Sequence, residues 1–203
     1  MLTLAKIERL DPRTILFSLP TINDRLPGEA GEADGTEAML MEDDWRQLEF
    51  VHASCREIVA EEMRDIHRIY DAHRVSMGFD KIHVRARLPD ALAAAKLDAS
   101  VLPELAPGPS RPLRFASSGA RVMGGFARKL AEGWILYGVV KPPLLETLGL
   151  HADGRALPTP QIAALEKLAH SANLLLVDWC RCTAAEPMTA AFGRVLAGTD
   201  TGA

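Results

Sequence analysis

Apolar positions along the chain follow two different periods. Lys81 to Leu88 alternates without a break: Ile82, Val84, Ala86 and Leu88 point one way, Lys81, His83, Arg85 and Arg87 the other. A period of two marks a half-buried strand, here with a basic outer face. Upstream the period is helical. At about 100° per residue, Val59, Met63, Ile66, Ile69, Tyr70 and Met77 fall on one stripe. Ser54-Cys55-Arg56-Glu57 precedes the stripe and fits a capping box, in which Ser and Glu satisfy each other's free backbone N–H groups. A helix from Cys55 to about Arg74 follows, with Gly78 as its left-handed cap.

The same reading covers the rest of the chain. Leu2–Ile7 and Thr14–Leu19 form a hairpin about Asp11-Pro12-Arg13. Residues 20–37, punctuated by Pro20, Pro27, Gly28, Gly31 and Gly35, make a long mobile loop. Met39–Val51 is a strand bent at Asp43-Asp44. Asp90–Leu97 is a short Ala-rich helix, and Pro103, Pro107, Pro109 and Pro112 stiffen an insertion over 98–112. Leu113–Ala116 is a short strand. Ser117–Glu132 mixes glycine with helical spacing at Val122, Phe126 and Leu130. Gly133–Val140 is a central strand, and Pro143–Leu148 a helical turn. Thr159-Pro160 opens a helix running to Ala172, with Ile162, Leu165, Leu168 and Ala169 inward and Asn173 as cap. Leu174–Cys182 is the last strand, and the tail over 187–203 frays.

Strand–helix–strand thus recurs at 38–89 and 133–183. The expected fold is one α+β domain over 1–203: a mostly antiparallel sheet with helices packed on one face. A ferredoxin-like duplication, interrupted by an insertion, is its expected form. It would place Asp44-Trp45 and Asp178-Trp179 on neighbouring strands.

Composition narrows the setting. The chain has 203 residues, 48% of them hydrophobic, enough for a core without disulfides or a structural metal. A formal charge of −4 argues against a general nucleic-acid binder. Only three cysteines occur, Cys55, Cys180 and Cys182, so a reducing, cytoplasmic compartment is expected. The N-terminus carries charges where a signal peptide needs an apolar run. The best candidate for a membrane span, Trp134–Val140, is too short to cross one.

Candidate chemistry is sparse. His67 and His73 lie six residues apart, not at the i, i+4 spacing of a helical zinc pair, and Cys180-x-Cys182 lacks a second cysteine pair. No metal and no cofactor are expected. No Gly-x-Ser-x-Gly elbow occurs. Within the apolar stripe, Cys55, Glu62 and His73 are polar exceptions. Glu62 and His73 are weak acid/base candidates, though three turns separate them. Ser117, Ser118, Arg121, Arg128 and Lys129, with Gly119, Gly124 and Gly125 between, supply flexible N–H groups and positive charge, and so suit an anion or a charged partner. The Walker pattern fails, because Gly125 stands where Lys is needed. Seven acidic residues and no basic one lie between Glu29 and Asp44. Five basic residues and no acidic one lie between Leu105 and Ala131. The two blocks either neutralise each other within the fold or form contact surfaces for charged partners.

The expectation is a protein-binding accessory, adaptor or neutralising module without catalytic activity, meeting a protein partner through a charged surface. An enzyme acting on a small anionic substrate through the 117–129 segment is the alternative. A structural homodimer is the third reading. Neither nucleic acid nor membrane is expected as a partner.

Overall fold

Between residues 111 and 152 four strands follow one another across turns and build an antiparallel meander, the centre of the molecule. The structure, a computed structural model, describes residues 18–19, 28–29, 31, 33–72, 83–84 and 91–197. In chain order the main elements are β1 (Ala38–Leu40), β2 (Leu48–His52), α1 (Arg56–Ala72), α2 (Leu102–Leu105), β3 (Arg111–Phe115), β4 (Arg121–Ala131), β5 (Trp134–Lys141), β6 (Leu144–Ala152), α3 (Thr159–Ser171), β7 (Leu174–Asp178), β8 (Thr183–Ala185) and α4 (Ala190–Ala197). The sheet runs β8-β7-β2-β6-β5-β4-β3-β1, and Gly28–Glu29 pairs with the start of β4. Every pairing is antiparallel except β1 with β3.

The α+β class with a mostly antiparallel sheet therefore holds. The helices are divided between its two faces rather than gathered on one. On β7, Leu174 and Leu176 enter the large core with Phe50, Leu165, Leu168 and Phe192, on the side of α3 and α4. Leu175 and Val177 enter a smaller cluster with Val51, Val59 and Ile66, on the side of α1. This is the strand alternation at work, with all five residues of β7 buried. A third cluster holds Trp45, Leu113, Phe115, Val122 and Tyr137. It shares the α1 side, because the register aligns Val177, Glu49, Gly149, Tyr137 and Ala127 across five strands.

The two strand–helix–strand units have different fates. In the second, α3 joins β6 to β7, which run parallel with β2 between them. In the first, only His83–Val84 of the expected strand is described, and it pairs with Ser18–Leu19 in a separate two-stranded sheet. Of the two Asp-Trp pairs expected on neighbouring strands, only Asp178 lies on one: Asp44 is in a 310 turn and Trp45 and Trp179 are in turns, although β2 and β7, the strands beside them, do pair.

Several expectations give way to packing. The helix begins at Arg56, after a 310 turn over Ala53–Cys55. That turn's cap acceptor is His52 Nδ1, 3.2 Å from Ser54 N, and Ser54 lies inside it. Ser117–Glu132 is no helix-like connection: residues 121–131 form the longest strand of the sheet. Pro143–Leu148 is not a helical turn but the start of β6. The 98–112 insertion is no bare linker, since α2 buries Leu102 and Leu105 in the large core. The tail does not fray from residue 187, because α4 buries Phe192, Val195 and Leu196 at helical spacing. The 20–37 segment is docked at its C-terminal end, where Glu37 is buried. Gly78, His73, the 2–7 strand and most of Lys81–Leu88 lie outside the described residues.

β4 also bends. Val122 faces the Tyr137 cluster, whereas Phe126 and Leu130 face the large core on the other side. An unbroken strand would keep these even-numbered positions on one face. Gly124, at φ +67, opens a bulge that reverses them. A Cβ there would stand 2.4 Å from the Val140 carbonyl oxygen, so the position accepts only glycine.

Candidate functional site

The acidic and basic blocks come together in the fold. Arg114 donates Nη2 to Glu37 Oε1 at 2.9 Å, in an ion pair whose side chains are buried. Its Nη1 donates to the Gly31 and Gly119 carbonyls. Arg111 donates Nε to the Thr36 carbonyl at 2.7 Å and Nη2 to the Glu37 carbonyl at 2.6 Å. The backbone N–H groups of Ser117 and Ser118 both donate to the Glu42 carboxylate, at 3.0 and 2.7 Å. Partial burial pushes the Glu42 carboxyl up, but the hydrogen bonds from Ser118 and Ser117 outweigh it and bring it down to about 2. The N–H groups at Ser117-Ser118 where an anion was expected are taken by the chain's own carboxylate.

The basic candidates do not converge. Consecutive strand residues point to opposite faces, so Arg128 and Lys129 separate. Arg128 aligns with Leu136, on the side of the large core, and its Nε donates to the Ala106 carbonyl at 2.6 Å. Lys129 aligns with Ile135 and His151 on the opposite face and pairs with Glu132 at 2.6 Å, an exposed pair that lowers the Glu132 carboxyl. Arg121 stands seven residues before Arg128, about 20 Å along the strand. The Arg121 side chain is exposed and makes no hydrogen bond or salt bridge among the described residues. It acts on Asp34 through space, while hydrogen bonds from Thr36 are the main cause holding that carboxyl down at about 2.

Two shallow hollows flank this strand, and Arg111 lines both. One, of about 450 Å³, lies between Arg111 and Pro112 and the 121–125 bulge. The other, of about 400 Å³, is lined by Arg128, Lys129, Ile135, His151 and Asp153. At its edge His151 Nδ1 lies 3.4 Å from Asp44 Oδ2.

Glu62 sits away from both hollows, buried on α1. His73, its companion candidate, lies outside the described residues. Near β2 a second polar group is buried. Glu49 accepts from Arg46 Nε at 2.6 Å and from Trp179 Nε1 at 2.7 Å. Tyr137 OH donates to the Asp44 carbonyl and accepts from Arg46 N. These bonds lock the turn before β2 onto the sheet, and Trp45 packs on Tyr137 and Phe115 at centroid distances near 5.5 Å. Among the described residues no group of three or more His, Cys, Asp or Glu side chains could hold a metal, and no helix is long and apolar enough to cross a membrane.

His151 lines the second hollow without any local sequence signal, and Arg111 and Asp44 carried none beyond their charge blocks. Only cross-strand register, which aligns Arg111 with Ala127 and His151 with Ile135, could have found them. Comparison with protein-family models, with curated proteins and with solved structures finds no match for the chain.

Proposed function

We propose that the chain is a protein-binding module that meets an acidic partner surface along the β3–β4 hairpin and carries no catalytic machinery. One observation supports this most: β4 is an extended strand, so Arg121, Arg128 and Lys129 are spread along it and over two faces instead of closing on one point. A small anion needs converging donors. A protein surface is served by charges distributed over a wide patch, which steer encounter and select partners. The internal use of Ser117 and Ser118 by Glu42 points the same way, since it removes the cradle a small substrate would need.

The test is affinity purification from the protein's own cells, with wild type and an Arg121→Gln/Arg128→Gln/Lys129→Gln variant at low and high salt. A stoichiometric protein, retained by wild type and lost both in the variant and at high salt, supports the reading. Partner capture indifferent to charge and salt, or none, overturns it.

The enzyme reading has one observation of its own, the His151–Asp44 contact at the edge of the second hollow, where a carboxylate orients an imidazole. Phosphate separates the two. A saturable rise in melting temperature with millimolar phosphate, lost in the triple variant, favours a small-anion site. No shift in wild type leaves the protein-binding reading.

A further inference from the structure

The larger hollow has a construction that points to a more specific occupant. Its floor is the bulge of β4, where exposed Gly124 leaves the backbone bare. Arg111 lines it too, but its guanidinium is turned to the Thr36 and Glu37 carbonyls and it aligns with Ala127 on the Tyr137 side of the sheet. Arg121, next to Val122, projects from the other side, where its side chain is exposed and has no hydrogen-bond acceptor among the described residues. Met123, 54% exposed, lies between Arg121 and the bulge. Strand alternation before the bulge sends Val122 into the core while Met123, like Arg121, stays outside. An exposed methionine beside exposed arginines is a combination enriched at protein interfaces.

The chain itself shows what such a surface takes. Residues 34–37 form an acidic stretch beside Arg111 and Arg121 and the neighbouring Arg114. Asp34 lies within reach of the field of Arg121, the Thr36 and Glu37 carbonyls take Arg111, and the Glu37 carboxylate takes Arg114. Backbone carbonyls and carboxylates of one segment are thus read together by guanidinium groups. The hollow beyond, about 450 Å³, is far larger than one inorganic anion needs. Arg121 and Met123, two apart on the strand, present a cation and an apolar side chain on one face.

We propose that this hollow seats an extended acidic segment of a protein partner, with a carboxylate on Arg121 and an apolar side chain on Met123. The proposal rests on the protein-binding reading above and adds the class of ligand and its place. A bare oxyanion would use Arg121 and ignore Met123. The segment uses both.

The probe is a fluorescein-labelled peptide of alternating Asp, Glu and Leu, titrated by anisotropy against the full chain, with a Lys-for-acid peptide as control. Wild type should bind the acidic peptide saturably and leave the Lys peptide unbound. Arg121→Gln and Met123→Ala should each weaken binding at least about threefold. Lys167→Gln, exposed on α3, which packs on β7 at the far end of the sheet, should leave it unchanged. Absence of saturable binding, or equal binding by wild type and Arg121→Gln, overturns the proposal. Full displacement by millimolar phosphate, with Met123→Ala silent, overturns it in favour of a small-oxyanion site. Loss of native-partner capture in Arg128→Gln/Lys129→Gln with Arg121→Gln unaffected would sink this placement alone. Failure to capture any partner would sink the protein-binding reading itself.

Discussion

Replacing Glu42 by Gln tests whether the acidic block is fastened where the structure places it. The variant keeps the shape of the side chain and removes the charge that accepts from Ser117 N and Ser118 N. Moving a carboxyl from an ordinary 4.5 to about 2 corresponds to roughly 3 kcal/mol if fully expressed. Glu42 is partly in water, so solvent screening reduces this, and Glu42→Gln should cost about 1–2 kcal/mol near neutral pH. The folded-state value lies below the unfolded one. The contribution is therefore complete above the unfolded value of 4.5 and disappears as pH falls towards 2. Urea melts of both proteins at near-neutral pH and at acid pH below the unfolded carboxyl value measure the gap directly. It should be open at the first and close progressively at the second. A gap unchanged across that range, or no gap at neutrality, would refute the anchoring of Glu42 on the Ser117-Ser118 turn.

Other consequences follow from the same geometry. Glu37→Gln leaves the buried Arg114 guanidinium without its carboxylate and should cost about 3–5 kcal/mol in chemical denaturation, because an uncompensated buried charge remains. Phe192→Ala should cost about 3–5 kcal/mol, since the ring is fully buried against Phe50 at a centroid distance of 6.5 Å; a neutral result would mean that α4 is not part of the core. Gly124→Ala should lower the melting temperature, because its left-handed backbone adds about 1–3 kcal/mol of strain and the new Cβ meets the Val140 carbonyl oxygen.

Much of the secondary structure was legible because its signal is local. The stripe of α1, the inward set Leu165, Leu168 and Ala169 of α3, and the apolar runs of β5 and β7 each carry their period within a single element. A period states which face of an element is dry without reference to anything else in the chain. The left-handed Asn173 after α3 was legible for the same reason, since its short polar side chain tolerates φ 53. The α4 stripe of Phe192, Val195 and Leu196 was equally local and was obscured by the small residues around it.

β4 was misread where two periods coincide. Val122, Phe126 and Leu130 recur every four residues, which suits one face of a helix and one face of a strand alike. Only pairing with β3 and β5 decides between them, and only the Val140 carbonyl explains why Gly124 must bend the strand.

The candidate surface was legible as two charge blocks and no further. Sequence determined that an acid-only stretch and a base-only stretch exist, with charge enough to attract each other. Tertiary structure decided how they meet. β1 lies beside β3, which brings Glu37 to Arg114 across 77 positions and Glu42 to Ser117 and Ser118 across 75 and 76. It also decided what stays outward: the bulge and the pleat leave Arg121 and Met123 at one hollow and send Arg128 and Lys129 to opposite faces. The physical reason is that a strand's partner is chosen by the burial of the whole sheet. The positions of its outward side chains are a consequence of that choice, and no single stretch of sequence contains it.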